Sequence, residues 1–236
     1  MKVINLDKEI FEKACELCNK EYSYEETLNI LKEGSDVEKQ IAILKLQKIE
    51  TLHDANLLVS HLTGQNGPIR EVCAIKLNEL ISKKTFVILD NEQFYQTYTN
   101  AVCDVNPNIC RCIIEILPKL NLNNYLIDLL IKKLENIFKR IETPDSNQKN
   151  FLTVRLFNLY WVLEAISETL TNQTNFEQNE KLVTLLKKAT EFNNYTIDEK
   201  VAKIIVSHNF ENQNIDDLIK KLKDTQNFYV RRYFKG

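Results

Sequence analysis

The sequence predicts an all-α protein built from stacked antiparallel helix pairs. Three observations lead there. Ile69, Cys73, Leu77 and Leu80 recur at steps of four, four and three, which is the apolar stripe of one helix face. The spacing then returns elsewhere. A shift of 31 residues lays Glu38-Lys39, Ala42, Leu46 and Ile49 on Ile69-Arg70, Cys73, Leu77 and Leu80, and a further shift of 40 reaches Ile109-Cys110, Ile113, Leu117 and Leu120. Finally, Gly and Pro number only four each in 236 residues, well under their average share, which disfavours a turn-rich β sandwich. Helix pairs repeating every 30–47 residues or so cannot bury an apolar face alone; each pair needs a neighbour on either side.

The elements follow in order. Residues 7–19 carry an apolar stripe of Ile10, Phe11, Ala14, Leu17 and Cys18. Ser23-Tyr24-Glu25-Glu26 is a capping box. It starts a helix containing Leu28, Ile30 and Leu31 that stops at Gly34. Together these form N-terminal capping helices over 1–34. Ser35-Asp36-Val37-Glu38 opens the next helix, with the stripe Ile41, Ala42, Leu46 and Ile49. Its partner, about 53–63, holds Ala55, Leu57, Leu58, Val59 and Leu62 and ends at Gly64. A helix over 66–83 follows, paired with one near 90–102 that holds Phe94, Tyr95, Tyr98, Ala101 and Val102. Between them, Thr85-Phe86-Val87-Ile88-Leu89 has the composition of a strand. No partner strand is evident elsewhere, so it reads as an apolar loop tucked under the helices.

The pattern restarts at Val105-Asn106-Pro107-Asn108-Ile109, and Pro118 falls late enough in that helix to kink it. The partner, about 123–141, is strongly apolar through Leu126, Leu129, Leu130, Leu134, Ile137 and Phe138. Residues 35–141 are the best-matching repeats. Residues 142–149 read as a surface loop. Helices over about 150–170, 176–192, 197–208 and 215–223 then make 149–236 a set of degenerate repeats with a C-terminal cap. The whole of 1–236 reads as one domain.

Composition narrows the function. Formal charge is −2 and the pI is about 6.0, without the basic excess of a surface that holds a nucleic-acid backbone. Local excesses are small: five Lys against eight Asp/Glu over 1–34, and six Lys/Arg against three Asp over 216–236. These suit solvated helix faces. The opening Met1–Asp7 is too short and charged for a signal peptide. No apolar run approaches the roughly 18–20 residues a membrane span needs. Six spread cysteines then read as reduced thiols. A cytoplasmic protein with no membrane partner is the expectation.

Motifs for chemistry are sparse. Cys15-x-x-Cys18 has metal spacing, but no second pair completes a zinc set, and two thiols on one helix face read as core packing. Cys110 and Cys112 fall on different faces, and Cys73 sits where the stripe wants a small residue. His53-Asp54 resembles a metal-hydrolase pair without its further ligands, and Asp54 suits an early helix acid. There is no Gly-rich phosphate loop, no Gly-x-Ser-x-Gly and no His-Glu-x-x-His. No catalytic residue, metal ligand set or cofactor is assigned. Trp161, beside Tyr160, reads as a core residue of an aromatic helix.

The repeats resemble the HEAT family of armadillo-like α-solenoids. That family often opens its first helix with Pro, a hydrophobic-Arg pair, a small residue four on and Leu eight on. Here Pro68-Ile69-Arg70-Cys73-Leu77 matches best. Asn106-Pro107-Asn108-Ile109 and Val230-Arg231-Arg232 after Asp224 are looser copies, while Lys39 and Cys110 replace the Arg. The resemblance implies a right-handed α-α superhelix acting as a protein-binding scaffold, whose second helices line a concave face. Outward positions on that face are read as His61, Gln96, Asn100 and Lys132. The C-terminal Phe228, Tyr229, Arg232 and Tyr233 would cover an open end or meet a partner. Arg70 and Arg231 are read as structural, bonding Asp or backbone carbonyls. The alternative is a HEAT-like DNA glycosylase for alkylated bases, which matches in length but has a basic groove that this composition does not provide.

Overall fold

The computed structural model describes residues 6–87, 92–120, 124–142, 152–170, 179–208, 210 and 215–234. Over these residues the chain is all-helical: thirteen α-helices with short 3₁₀ turns and one isolated β-bridge. None of the described helices is long and apolar enough to cross a membrane. The described residues divide into two compact units. The first takes those up to Ala101 together with Asn106–Ile116; the second takes Val102–Val105 and those from Leu117 onward.

The first unit holds α1 (Leu6–Asn19), α2 (Tyr24–Glu33), α3 (Asp36–Lys45), α4 (Leu52–Ser60), α5 (Gly67–Ser82), α6 (Glu92–Ala101) and α7 (Pro107–Ile116). Their starts follow from sequence. The Ser23 hydroxyl accepts from the Glu26 N–H at 3.1 Å while the Ser23 N–H donates to the Glu26 carboxylate at 2.8 Å, completing the capping box of α2. Asn66 caps α5 by accepting from the Ile69 N–H at 3.0 Å. At the end of α2, a Cβ on Gly34 would stand 2.7 Å from the Ile30 carbonyl oxygen, so only glycine fits without a shift.

Packing alternates along the chain. α3 lies on α5 and α5 on α7, while α2 lies on α4 and α4 on α6. The equivalent positions Ala42, Cys73 and Ile113 are all buried, as are Leu46, Leu77 and Leu117. Each large apolar side chain so buried contributes roughly 1.5–3 kcal/mol. Arg70 donates from Nη1 to the carbonyls of Gly64 (2.8 Å) and Gln65 (3.1 Å), so it ties the turn that precedes its own helix.

Four readings from sequence are corrected. α3 stops at Lys45, so Ile49 is not on its stripe. Ile49 is extended: its N–H donates to the Thr85 carbonyl at 2.8 Å, and its own carbonyl accepts from the Val87 N–H at 3.2 Å. The strand-like segment therefore has a partner, one parallel bridge between Ile49 and Phe86, and Phe86 is buried. Ile88 and Leu89 lie outside the described residues. Pro118 does not kink α7, because the α-helix ends at Ile116 and Pro118 sits in the 3₁₀ turn Leu117–Lys119. Proline has no N–H for the continuing ladder. Cys15 and Cys18 are exposed and not core.

The second unit holds α8 (Asn124–Glu142), α9 (Leu152–Leu170), α10 (Asn179–Ala189), α11 (Tyr195–Ser207), α12 (Asp216–Lys223) and α13 (Phe228–Arg231). The loop read over 142–149 begins at the last residue of α8; the rest of it lies outside the described residues. α9 packs on both α8 and α11, and α11 packs on α13. An ionic cluster joins α9 to α11. Lys200 meets Glu164 at 3.0 Å, and Lys203 meets Glu164 at 3.0 Å and Glu168 at 2.6 Å. Burial alone would push Lys200 down and Glu164 up. Their partners more than offset this, leaving Lys200 above and Glu164 below its ordinary value. Trp161 is half-buried and meets Phe157 and Tyr160 edge-on, at 6.0 and 5.0 Å between ring centres.

Candidate functional site

The first unit contains a cleft of about 380 Å³ between α4 and α6, lined by His53, Asn56, Leu57, Val59, Ser60, Gln93, Phe94 and Thr97. It follows from how α4 is held in rotation. Thr51 caps α4 by accepting from the Asp54 N–H at 3.2 Å. The buried Asp54 carboxylate accepts from the Tyr24 hydroxyl at 3.0 Å and the Thr51 hydroxyl at 2.7 Å. That network turns Ala55, Leu58 and Val59 inward. His53, Asn56, Leu57 and Ser60, at steps of three, one and three, are left along the opposite stripe. It also explains His53-Asp54, since the acid serves the helix start.

α6 is held by Phe94, Tyr95 and Tyr98, which are buried. Phe94 lies 6.3 Å from the Phe86 ring and meets Tyr98 edge-on at 4.3 Å. With Phe94 inward, Gln93 and Thr97 face the cleft. Val59 and Phe94, both nearly fully buried, form an apolar floor.

Beside the His53 imidazole, the walls are amides and hydroxyls. Ser60 donates to the Leu57 carbonyl at 2.7 Å and Thr97 to the Gln93 carbonyl at 3.0 Å. These hydroxyls spend their protons on their own helices and present acceptor lone pairs. Asn56 and Gln93 each bring an amide with donors and an acceptor. No Asp, Glu, Lys or Arg lines the cleft among the described residues. His53 and Ser60 do not form a base–nucleophile pair: seven residues apart on one helix, they are separated by about 10 Å of rise. The arrangement is suited to hydrogen bonding with a neutral polar ligand over an apolar floor.

The positions expected from sequence are distributed as follows. His61 is half-buried in the 3₁₀ turn after α4, its Nε2 3.0 Å from the Leu31 carbonyl oxygen, and burial lowers its pKa. Gln96 and Asn100 are exposed on α6, with Gln96 donating to Glu92 at 3.1 Å. Lys132 is exposed on α8, in the second unit. Thus α6 carries two of the four beside the cleft wall, and none of the four lines it. At the C-terminus, Val230 is buried while Phe228 and Tyr229 are more than half exposed. Arg232 lies 5.6 Å from the Tyr229 ring and 5.1 Å from Tyr233, and it pairs with Glu199 at 2.6 Å.

The cleft residues were missed although a pattern marks them. His53, Asn56 and Ser60 form a polar stripe on an otherwise apolar helix, and Gln93 and Thr97 are one turn apart on α6. Sequence shows each stripe but not that the two face each other. No model of a known protein family matches the chain, and no curated protein matches it significantly.

Proposed function

We propose that the chain is a HEAT-like helical-repeat scaffold that binds an uncharged, extended segment of a protein partner across its second helices. The alternating packing supports this reading: α3, α5 and α7 form one row and α2, α4 and α6 the other. So does the similar order in the second unit, where α11 packs on α9 and α13. A right-handed superhelix is part of the proposal. The observation that carries the functional reading is the α4–α6 cleft on the second-helix row, with amide and hydroxyl walls over an apolar floor. An extended peptide offers unpaired N–H and C=O groups that such walls match, and small apolar side chains that such a floor takes.

Selection of displayed random peptides on the immobilised full chain tests this. The expected outcome is enrichment of uncharged sequences whose binding weakens when Asn56 and Gln93 are changed to Ala. Losing hydrogen bonds worth about 1 kcal/mol each gives roughly a tenfold or greater loss in affinity. Unchanged binding by that variant removes the cleft from the account. A parallel arm measures retention on duplex DNA at low ionic strength. Retention that falls steeply with salt would favour the glycosylase reading.

A further inference from the structure

α4 and α6 turn matching sides to solvent. A shift of 40 residues lays His53 on Gln93, Asn56 on Gln96, Leu57 on Thr97 and Ser60 on Asn100. From 52 to 60 and from 92 to 100, the order of exposed, half-buried and buried residues is identical. The two helices also run in the same direction. At their starts, Phe86, bridged to Ile49 just before α4, lies 6.3 Å from the Phe94 ring. One turn on, Cys73 donates to the Leu58 carbonyl at 3.1 Å and is within electrostatic range of Tyr98, the residue that matches Leu58. Asn56 and Gln96 therefore stand at one level on neighbouring helices, as do Ser60 and Asn100. Asn56 and Ser60 line the cleft. Gln96 and Asn100 occupy the same side of α6, one helix further along the row.

A segment that crosses both helices meets this pattern twice, at the spacing of packed helices, about 8–10 Å. A β-strand rises about 3.3 Å per residue and turns alternate side chains to opposite faces, so one face returns every 6.6 Å or so. That period falls short of one helix spacing, and its double overshoots. A polyproline II helix has about three residues per turn and rises about 3.1 Å per residue, so its face returns after about 9.3 Å. That is one helix spacing. Its backbone makes no internal hydrogen bonds, so its carbonyls can accept from the side-chain amides. Gln96 spends one N–H on Glu92 at 3.1 Å and keeps the other. No Asp, Glu, Lys or Arg among the described residues lines the cleft to pair with a charged segment.

We propose that the partner segment is an uncharged polyproline II helix, with proline at every third position, laid across α4 and then α6. This rests on the reading of the cleft as a peptide site. Asn56 bonds one turn of the segment and Gln96 the next, so the two amides act as successive rungs. A prolyl ring from the first turn lies over the Val59–Phe94 floor.

The test is fluorescence anisotropy of three labelled peptides titrated with the full chain. All are uncharged, blocked at both ends and of equal length. The first carries proline at every third position. The second has the same composition with its prolines gathered at one end, and the third is Thr/Val-rich without proline. The first is expected to bind about tenfold or more tightly than the others, and to lose about tenfold both in Asn56→Ala/Gln93→Ala and in Gln96→Ala/Asn100→Ala. All four positions are exposed, and circular dichroism verifies that the helices remain. Equal or tighter binding of the second or third peptide overturns the proposal, as does indifference to Gln96→Ala/Asn100→Ala. In either case the cleft stands as a peptide site if Asn56→Ala/Gln93→Ala still weakens binding. No binding by any peptide, or binding that ignores both variants, overturns the proposal and the cleft together.

Discussion

Tyr98 is fully buried on α6, yet its hydroxyl has no hydrogen-bond partner among the described residues. Burial pushes its pKa well above the ordinary value, so it stays neutral. Its ring is anchored edge-on against Phe94 at 4.3 Å. An unpaired buried hydroxyl costs free energy that the ring does not need to bear. Tyr98→Phe is expected to leave stability unchanged or raise it by up to about 1 kcal/mol. Urea unfolding checks this, and a clear loss would mean the hydroxyl has a bonded partner such as an ordered water. Sequence marks Tyr98 as a stripe residue and says nothing of its hydroxyl. Ser23 is the opposite case: its partner Glu26 is three residues away, so the capping box is legible without coordinates.

At the scale of elements, the α9–α11 contact is held partly by charge. Glu164 sits between Lys200 and Lys203, at 3.0 Å from each, and Lys200 also stands 4.8 Å from the Tyr160 ring centre. Removing one member leaves a largely buried charge without its counter-ion. Glu164→Gln is therefore expected to cost roughly 3 kcal/mol. Lys200→Met should cost less when added to Glu164→Gln than alone, because the stranded ammonium is removed with it. A double-mutant cycle by chemical denaturation measures this, and additive losses would show that the two do not act as a pair. The helices themselves are readable from apolar periodicity, but this pairing of residues more than thirty apart is not. α3 shows the same limit: the apolar spacing in the sequence runs on to Ile49, while the chain leaves the helix after Lys45 to bridge Phe86.

Across the molecule, titration sets a direction for acid sensitivity. Glu79, bonded to Lys76 and Lys83 at 2.7 Å each, is lowered to about 2. Glu26 and Glu164 are also lowered. Groups with depressed folded-state values contribute stability that is present above their unfolded values, near 4.5, and lost as pH falls through the folded ones. Burial lowers His61 and His208 from 6.5, so their contribution is present above 6.5 and fades as pH falls below it. Asp198 is raised by burial and works in the opposite sense, its contribution fading as pH rises through its folded value. The expected profile is stability that declines below about pH 6.5 and declines further from about 4.5 toward 2. Urea midpoints across that range check it, and a flat profile would contradict these environments.

The sequence by itself determined the helical class, most helix starts and most of the buried stripes, because caps and periodicity act within four residues along the chain. The tertiary structure alone decided the rest: that Ile49 pairs with Phe86, that two polar stripes face each other across a cleft, and that Cys15 and Cys18 remain at the surface. The reason is physical. A stripe records which side of a helix can be buried, but only the neighbour that arrives, or fails to arrive, decides whether it is.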